Sequence, residues 1–212
     1  MWDHGQAMTR LVMMLGLLAL ACLLFLAPAR AQDARDLARI SAYLNALKTA
    51  SGDFVQIAPN GSVSDGKFFI SRPGRIRFEY TPPNPTLVVS DGTWVVVFDL
   101  RNCAQQTAPL SQTPLNLFLK DRVNLREEGA VTGVETEAGQ MRVTAVDPAN
   151  PDQGSITMIF SESPLELRQW IITDPEGQTT TVALSEVRRG IDVPIEKFLP
   201  REVILSECQG KN

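Results

Sequence analysis

The stretch that decides the fold is Gly66-Lys67-Phe68-Phe69-Ile70-Ser71-Arg72-Pro73-Gly74-Arg75-Ile76-Arg77-Phe78-Glu79-Tyr80, with Val88-Val89-Ser90-Asp91-Gly92 shortly after it. From Arg75 to Thr81 the chain alternates strictly, with Ile76, Phe78 and Tyr80 on one side and Arg75, Arg77 and Glu79 on the other. Side chains two apart on a strand share a face, so this is a strand with one dry side and one wet side. Arg72-Pro73-Gly74 and Asp91-Gly92 are turn sequences of hairpin length.

The same two-fold pattern continues on either side, between turn signals. Strands are predicted at Phe54–Ala58, Lys67–Ser71, Arg75–Thr81, Thr86–Ser90, Thr93–Leu100, Cys103–Ala108, Val131–Glu137, Gln140–Val146, Ser155–Phe160, Leu165–Thr173 and Thr179–Arg188. Short strands at this spacing make an antiparallel meander, and the absence of strand–helix alternation excludes a doubly wound fold. One amphipathic helix is predicted from Asp33 to Ala50, where Leu37, Ile40, Leu44 and Leu47 recur at spacings of three and four, with Ser51-Gly52 marking its end. A second, short apolar segment, Pro114–Lys120, carries Leu115, Leu117, Phe118 and Leu119. Strand Thr93–Leu100 is apolar on both sides: Trp94, Val96, Phe98 and Leu100 on one, Val95 and Val97 on the other. Such a strand is either an ordinary central strand or part of a curved sheet whose concave face is only partly filled by helices.

The N-terminus is of a different kind. Leu11 to Ala27 is an uncharged run of 17 residues between Arg10 and Arg30, followed by Ala29-Arg30-Ala31. This is the form of a secretory signal peptide over residues 1–31, cleaved before Gln32. An uncleaved membrane anchor and a lipidated Cys22 are the weaker alternatives. The exported chain, residues 32–212, is then 181 residues (212 less 31) and forms one domain. It carries 18 basic and 23 acidic side chains, a net charge of −5, and no histidine, since His4 leaves with the leader.

Several chemistries fall with that histidine. Ser-His-Asp and Cys-His catalysis and histidine zinc sites need an imidazole, and the acidic balance argues against binding nucleic acid. No enzyme, cofactor or metal site is expected. Cys103 and Cys208 are either one disulfide, as suits an exported chain, or two small thiols. Ser64-Asp65-Gly66-Lys67 has the form of an acyl-enzyme S-x-x-K motif, but on a strand the two side chains point to opposite faces. Asn60-Gly61-Ser62 reads as a turn, and Asp147, Asp152, Asp174 and Glu176 as solvated loop residues.

The segment quoted above resembles the periplasmic outer-membrane lipoprotein carrier family, LolA. The features that carry the likeness are the aromatic strand ending in Arg72-Pro73-Gly74, the Arg-x-aromatic-x-aromatic strand after it, and Val89-Ser90-Asp91-Gly92 leading to an aromatic strand, Trp94 to Phe98. The resemblance extends to the leading helix, the Thr113-Pro114-Leu115 segment and the late hairpins. It departs from the family in a short segment after Thr113 and in the Cys103, Cys208 pair.

The resemblance implies an open, incomplete antiparallel β-barrel of about eleven strands, with a long N-terminal helix and a short lid helix over its concave face. It implies a monomeric periplasmic chaperone that takes acylated lipoproteins from an inner-membrane LolCDE-type transporter to an outer-membrane acceptor. Arg72 takes the place of the family's arginine, which holds the lid by hydrogen bonds to lid carbonyls. The expected cavity wall is Phe69 (or Phe68), Phe78, Tyr80, Val89, Trp94, Val96 and Phe98, with Leu115 and Phe118 in the lid. A related module that carries or senses a different apolar ligand is the alternative on the same fold.

Overall fold

The computed structural model describes residues 32–127 and 129–208. The leader expected over residues 1–31 lies outside them.

One antiparallel sheet of 11 strands organises the chain, in the order β6-β5-β4-β3-β2-β1-β11-β10-β9-β8-β7. The strands are β1 (Thr49–Ile57), β2 (Val63–Ser71), β3 (Arg75–Tyr80), β4 (Thr86–Asp91), β5 (Trp94–Asp99) and β6 (Ala104–Pro109), then β7 (Val131–Glu137), β8 (Gln140–Val146), β9 (Ser155–Glu162), β10 (Leu165–Thr173) and β11 (Thr179–Arg189). Two meanders are welded where β1 pairs with β11, and β6 and β7 are left as unpaired edges. The expected open, incomplete barrel is therefore the fold. Strand twist curls a sheet of this width, and the helices lie in the hollow.

Helix α1 spans residues 32–46 and buries Ile40 and Leu44 against the concave face. It ends earlier than the sequence pattern predicts, because Thr49 already pairs with Ser71 and Ala50 with Ile70. Gly52 is thus part of β1 rather than a helix stop. A Cβ there would stand 2.8 Å from the Phe68 ring and 2.5 Å from the Ser185 carbonyl oxygen, so only glycine lets the strands close over that ring. Gly66 is under the same constraint, because an added Cβ would run into the Glu79 carbonyl oxygen.

Helix α2 (Asn116–Leu119) forms at the predicted apolar segment and buries Leu117, Phe118 and Leu119 against the same face. The C-terminus takes the opposite side. After a turn at Ile195–Phe198 comes α3 (Pro200–Val203), and Val203 enters an outer cluster of Leu87, Val89, Val96 and Phe98. This strap ends in a disulfide between Cys208 and Cys103, at the β5–β6 turn, with Cα atoms 5.8 Å apart. Among the described residues no helix is long and apolar enough to cross a membrane.

Candidate functional site

The candidate site is the concave face and its cover. With Ser71 opposite Arg75, the β2–β3 hairpin sets Phe68 beside Phe78 and Ile70 beside Ile76. Alternation carries that side to Val88 and Ser90 on β4 and Val95 on β5. In the other direction it reaches Phe54 on β1, Leu184 on β11 and Trp170 on β10.

An aromatic row crosses this face. The Phe118 and Trp170 rings lie 5.4 Å apart, Trp170 and Phe78 6.1 Å, Phe78 and Phe54 4.9 Å, and Phe54 and Tyr80 5.0 Å, three of the four contacts being edge-on. Phe54, Phe68, Phe118 and Trp170 are buried, so the hollow is filled by the protein's own side chains. At the rim the Tyr80 hydroxyl donates to Gln56 Oε1 at 2.7 Å. Burial pushes the Tyr80 pKa up to about 12.

Arg72 stands where β2 leaves the sheet, and it is buried. Its Nη2 donates to the carbonyl of Lys120, directly after α2, and at 3.4 Å to that of Asp121, while Nη1 reaches the Leu47 carbonyl at 3.5 Å. The Gly74 N–H donates to the Leu119 carbonyl at 2.8 Å. A guanidinium offers several donors in a fixed fork, which suits the exposed carbonyls at a helix end. Burial lowers the Arg72 pKa, partly offset by the charge of Asp121, and its Nε is buried without a partner.

The sheet register divides the expected wall in two. Phe78 and Tyr80 face the hollow, and Leu115 and Phe118 pack onto it from the cover. Phe69, Val89, Trp94, Val96 and Phe98 face the other way, which corrects the sequence reading. Register decides it: Arg77 pairs with both Phe69 and Val89, Val89 pairs with Val96, and Leu87 with Phe98, all on the outer side. Phe69, Val89, Val96 and Phe98 are covered by the C-terminal segment: Val203 enters the cluster and Lys197 Nζ sits 4.3 Å above the Phe69 ring. Trp94 remains 46% exposed.

Phe68, Phe54 and Trp170 take the wall positions instead. Phe68 was legible, since a three-residue connection with Ser71 opposite Arg75 puts Phe68 opposite Phe78. Trp170, on a strand far along the chain, gave no local signal. The S-x-x-K residues stay apart, with Ser64 Oγ accepting from Asn84 and Lys67 paired with Asp53. Among the described residues no group of three or more His, Cys, Asp or Glu is gathered to hold a metal ion.

A family model described as outer membrane lipoprotein carrier protein LolA matches residues 45–200. The chain belongs to the LolA family. A relative from Chromobacterium violaceum, named outer-membrane lipoprotein carrier protein, is 30% identical over 182 residues, covering 81% of this chain and 84% of its own. One of the same name from Pseudomonas syringae pv. syringae is 28% identical over 206 residues, covering 89% and 93%. Among solved structures, an outer membrane lipoprotein-sorting protein domain from Vibrio parahaemolyticus shares the fold, with a TM-score of 0.50, 10% identity and coverage of 82% and 99%. The span matched to the LolA family holds Arg72, α2 and every strand, whereas residues 32–44 and the strap beyond Pro200 lie outside it.

Proposed function

We propose that this LolA-family protein is a periplasmic lipoprotein carrier that binds acyl chains on its concave face, in place of its own lid, and catalyses no reaction. The observation that carries the reading is the packed aromatic hollow under a four-residue helix whose trailing carbonyls are held by one arginine. An acyl chain of about sixteen carbons costs on the order of 12 kcal/mol to expose to water. Burying the three lid side chains, Leu117, Phe118 and Leu119, is worth about 5–9 kcal/mol at about 1.5–3 kcal/mol each. Cargo therefore exchanges for lid with a modest surplus, and a carrier needs that balance because it must also let go. The donor is an inner-membrane LolCDE-type transporter and the receiver an outer-membrane acceptor.

The test uses spheroplasts. Protein purified from the periplasm should release a lipoprotein from the inner membrane as a soluble one-to-one complex. Failure of the wild type to do so would sink the carrier reading, and retention of a free fatty acid without lipoprotein would favour a different apolar ligand.

A further inference from the structure

The cover over the hollow has two parts that are held in different ways. Helix α1 is anchored along its length. Its Ile40 and Leu44 are buried, Tyr43 packs edge-on against Phe160 at 5.8 Å, and the Tyr43 hydroxyl accepts the Leu167 N–H at 3.1 Å. Its polar side grips the loop that follows the lid. Asn45 Nδ2 donates to the Val123 carbonyl at 2.8 Å while Asn45 Oδ1 accepts the Val123 N–H at 2.9 Å. One turn earlier, Ser41 Oγ accepts the Leu125 N–H at 3.1 Å. Val123 and Leu125 are themselves buried.

The lid segment just upstream is tied to the β2–β3 hairpin instead: Arg72 donates to the Lys120 and Asp121 carbonyls, and the Gly74 N–H to that of Leu119. Its leading edge, at Thr113, Pro114 and Leu115, borders a mainly apolar depression of about 410 Å³ whose other wall includes Ile172 and Pro175. The two kinds of tether meet within three residues, between Lys120 and Val123.

We propose that Asn45 is the positioning residue of the lid: it fixes Val123 to α1, so the hinge lies at residues 121–122 and only residues 113–121 swing while α1 stays on the sheet. The side chain suits the task, because a carboxamide donates and accepts at once, closing both backbone groups of one residue as a strand neighbour would. With Val123 fixed, the Lys120 and Asp121 carbonyls return to Arg72 after each opening. That the opening admits acyl chains rests on the carrier reading; the location of the hinge does not.

Hydrogen exchange resolved by peptide tests it, without cargo and with a synthetic tripalmitoylated cysteinyl hexapeptide. Arg72→Leu should speed exchange at residues 113–121 about 30-fold, the effect of one hydrogen bond from a charged donor lost, and leave Val123 and Leu125 within about twofold of wild type. Asn45→Ala should speed Val123 and Leu125 by a similar factor with β9 amides unchanged, and Asn45→Asp, which keeps only the acceptor, should fall between. Added to Asn45→Ala, Arg72→Leu should have a smaller effect on the lid than it has alone, since Arg72 then grips a displaced segment. The lipopeptide should accelerate the lid and spare Val123. Val123 and Leu125 opening together with the lid in Arg72→Leu would overturn the hinge, as would independent effects of the two substitutions. Lipopeptide that fails to bind at all would instead count against the carrier reading and leave the cargo-free arms to decide the hinge.

Discussion

Replacing Arg72 by Leu asks how firmly the lid is held. Of the three bonds from Arg72 to backbone carbonyls, that to Lys120 is short and those at 3.4 and 3.5 Å are too long to add much. One bond from a charged donor is worth about 1.5–3 kcal/mol. The closed lid should thus lose about 2 kcal/mol, which raises the open fraction about 30-fold at 1.4 kcal/mol per factor of ten. The fold as a whole should lose less. The guanidinium is buried, its pKa is lowered, and its Nε has no partner, so removing it also removes a desolvation cost. The assay pairs hydrogen exchange of residues 113–121 with thermal unfolding. The expected result is a lid that exchanges about 30-fold faster in a protein whose Tm moves by a few degrees at most. A normal lid in a strongly destabilised protein would overturn the lid role and make Arg72 a core residue of the fold.

Further outcomes follow from the same geometry. Trp170→Ala empties a fully packed position and should cost about 3–5 kcal/mol in denaturant unfolding, whereas Trp94→Ala, at a site 46% exposed, should cost about 0.5 kcal/mol. Cutting the disulfide as Cys103→Ser should cost about 2–4 kcal/mol and make the strap after Pro200 sensitive to protease; an unchanged Tm and protease pattern would show that Val203 alone seats it. Tyr80 should titrate near 12 in a spectrophotometric titration, with that component missing in Tyr80→Phe. Because its folded pKa lies above the unfolded value near 10, its stabilising contribution is complete below pH 10 and is lost as pH rises toward 12.

Much of this architecture was legible in the chain. Ile76, Phe78 and Tyr80 alternate against Arg75, Arg77 and Glu79 because one side of β3 is dry, and the turns at Arg72-Pro73-Gly74 and Asp91-Gly92 delimit the hairpins. Strands β7, β8 and β10 coincide with the predicted limits. What misled was apolar character without direction. In β5 both faces are apolar, since the helices cover Val95 and the strap covers Val96 and Phe98. Size then favoured Trp94 and Phe98 for the wall, but the pairings Ile76–Ser90 and Ser90–Val95 carry the concave side through the smaller residue. The strap itself was unreadable, because its four-residue helix is held by burial of Val203 and a distant cysteine rather than by any local pattern. Asn45 gave no signal either; its partners are the backbone of Val123, 78 residues away.

The two tryptophans of the described chain offer the most direct test of where acyl chains bind, because Trp170 lines the hollow and Trp94 lies on the outer face. Protein purified from the periplasm as Trp94→Phe reports through Trp170, and as Trp170→Phe through Trp94. A lipopeptide with bromine-labelled acyl chains should strongly quench the fluorescence of the first and leave the second unchanged. Quenching of Trp94 with Trp170 unaffected would put the cargo on the opposite face of the sheet and contradict the account.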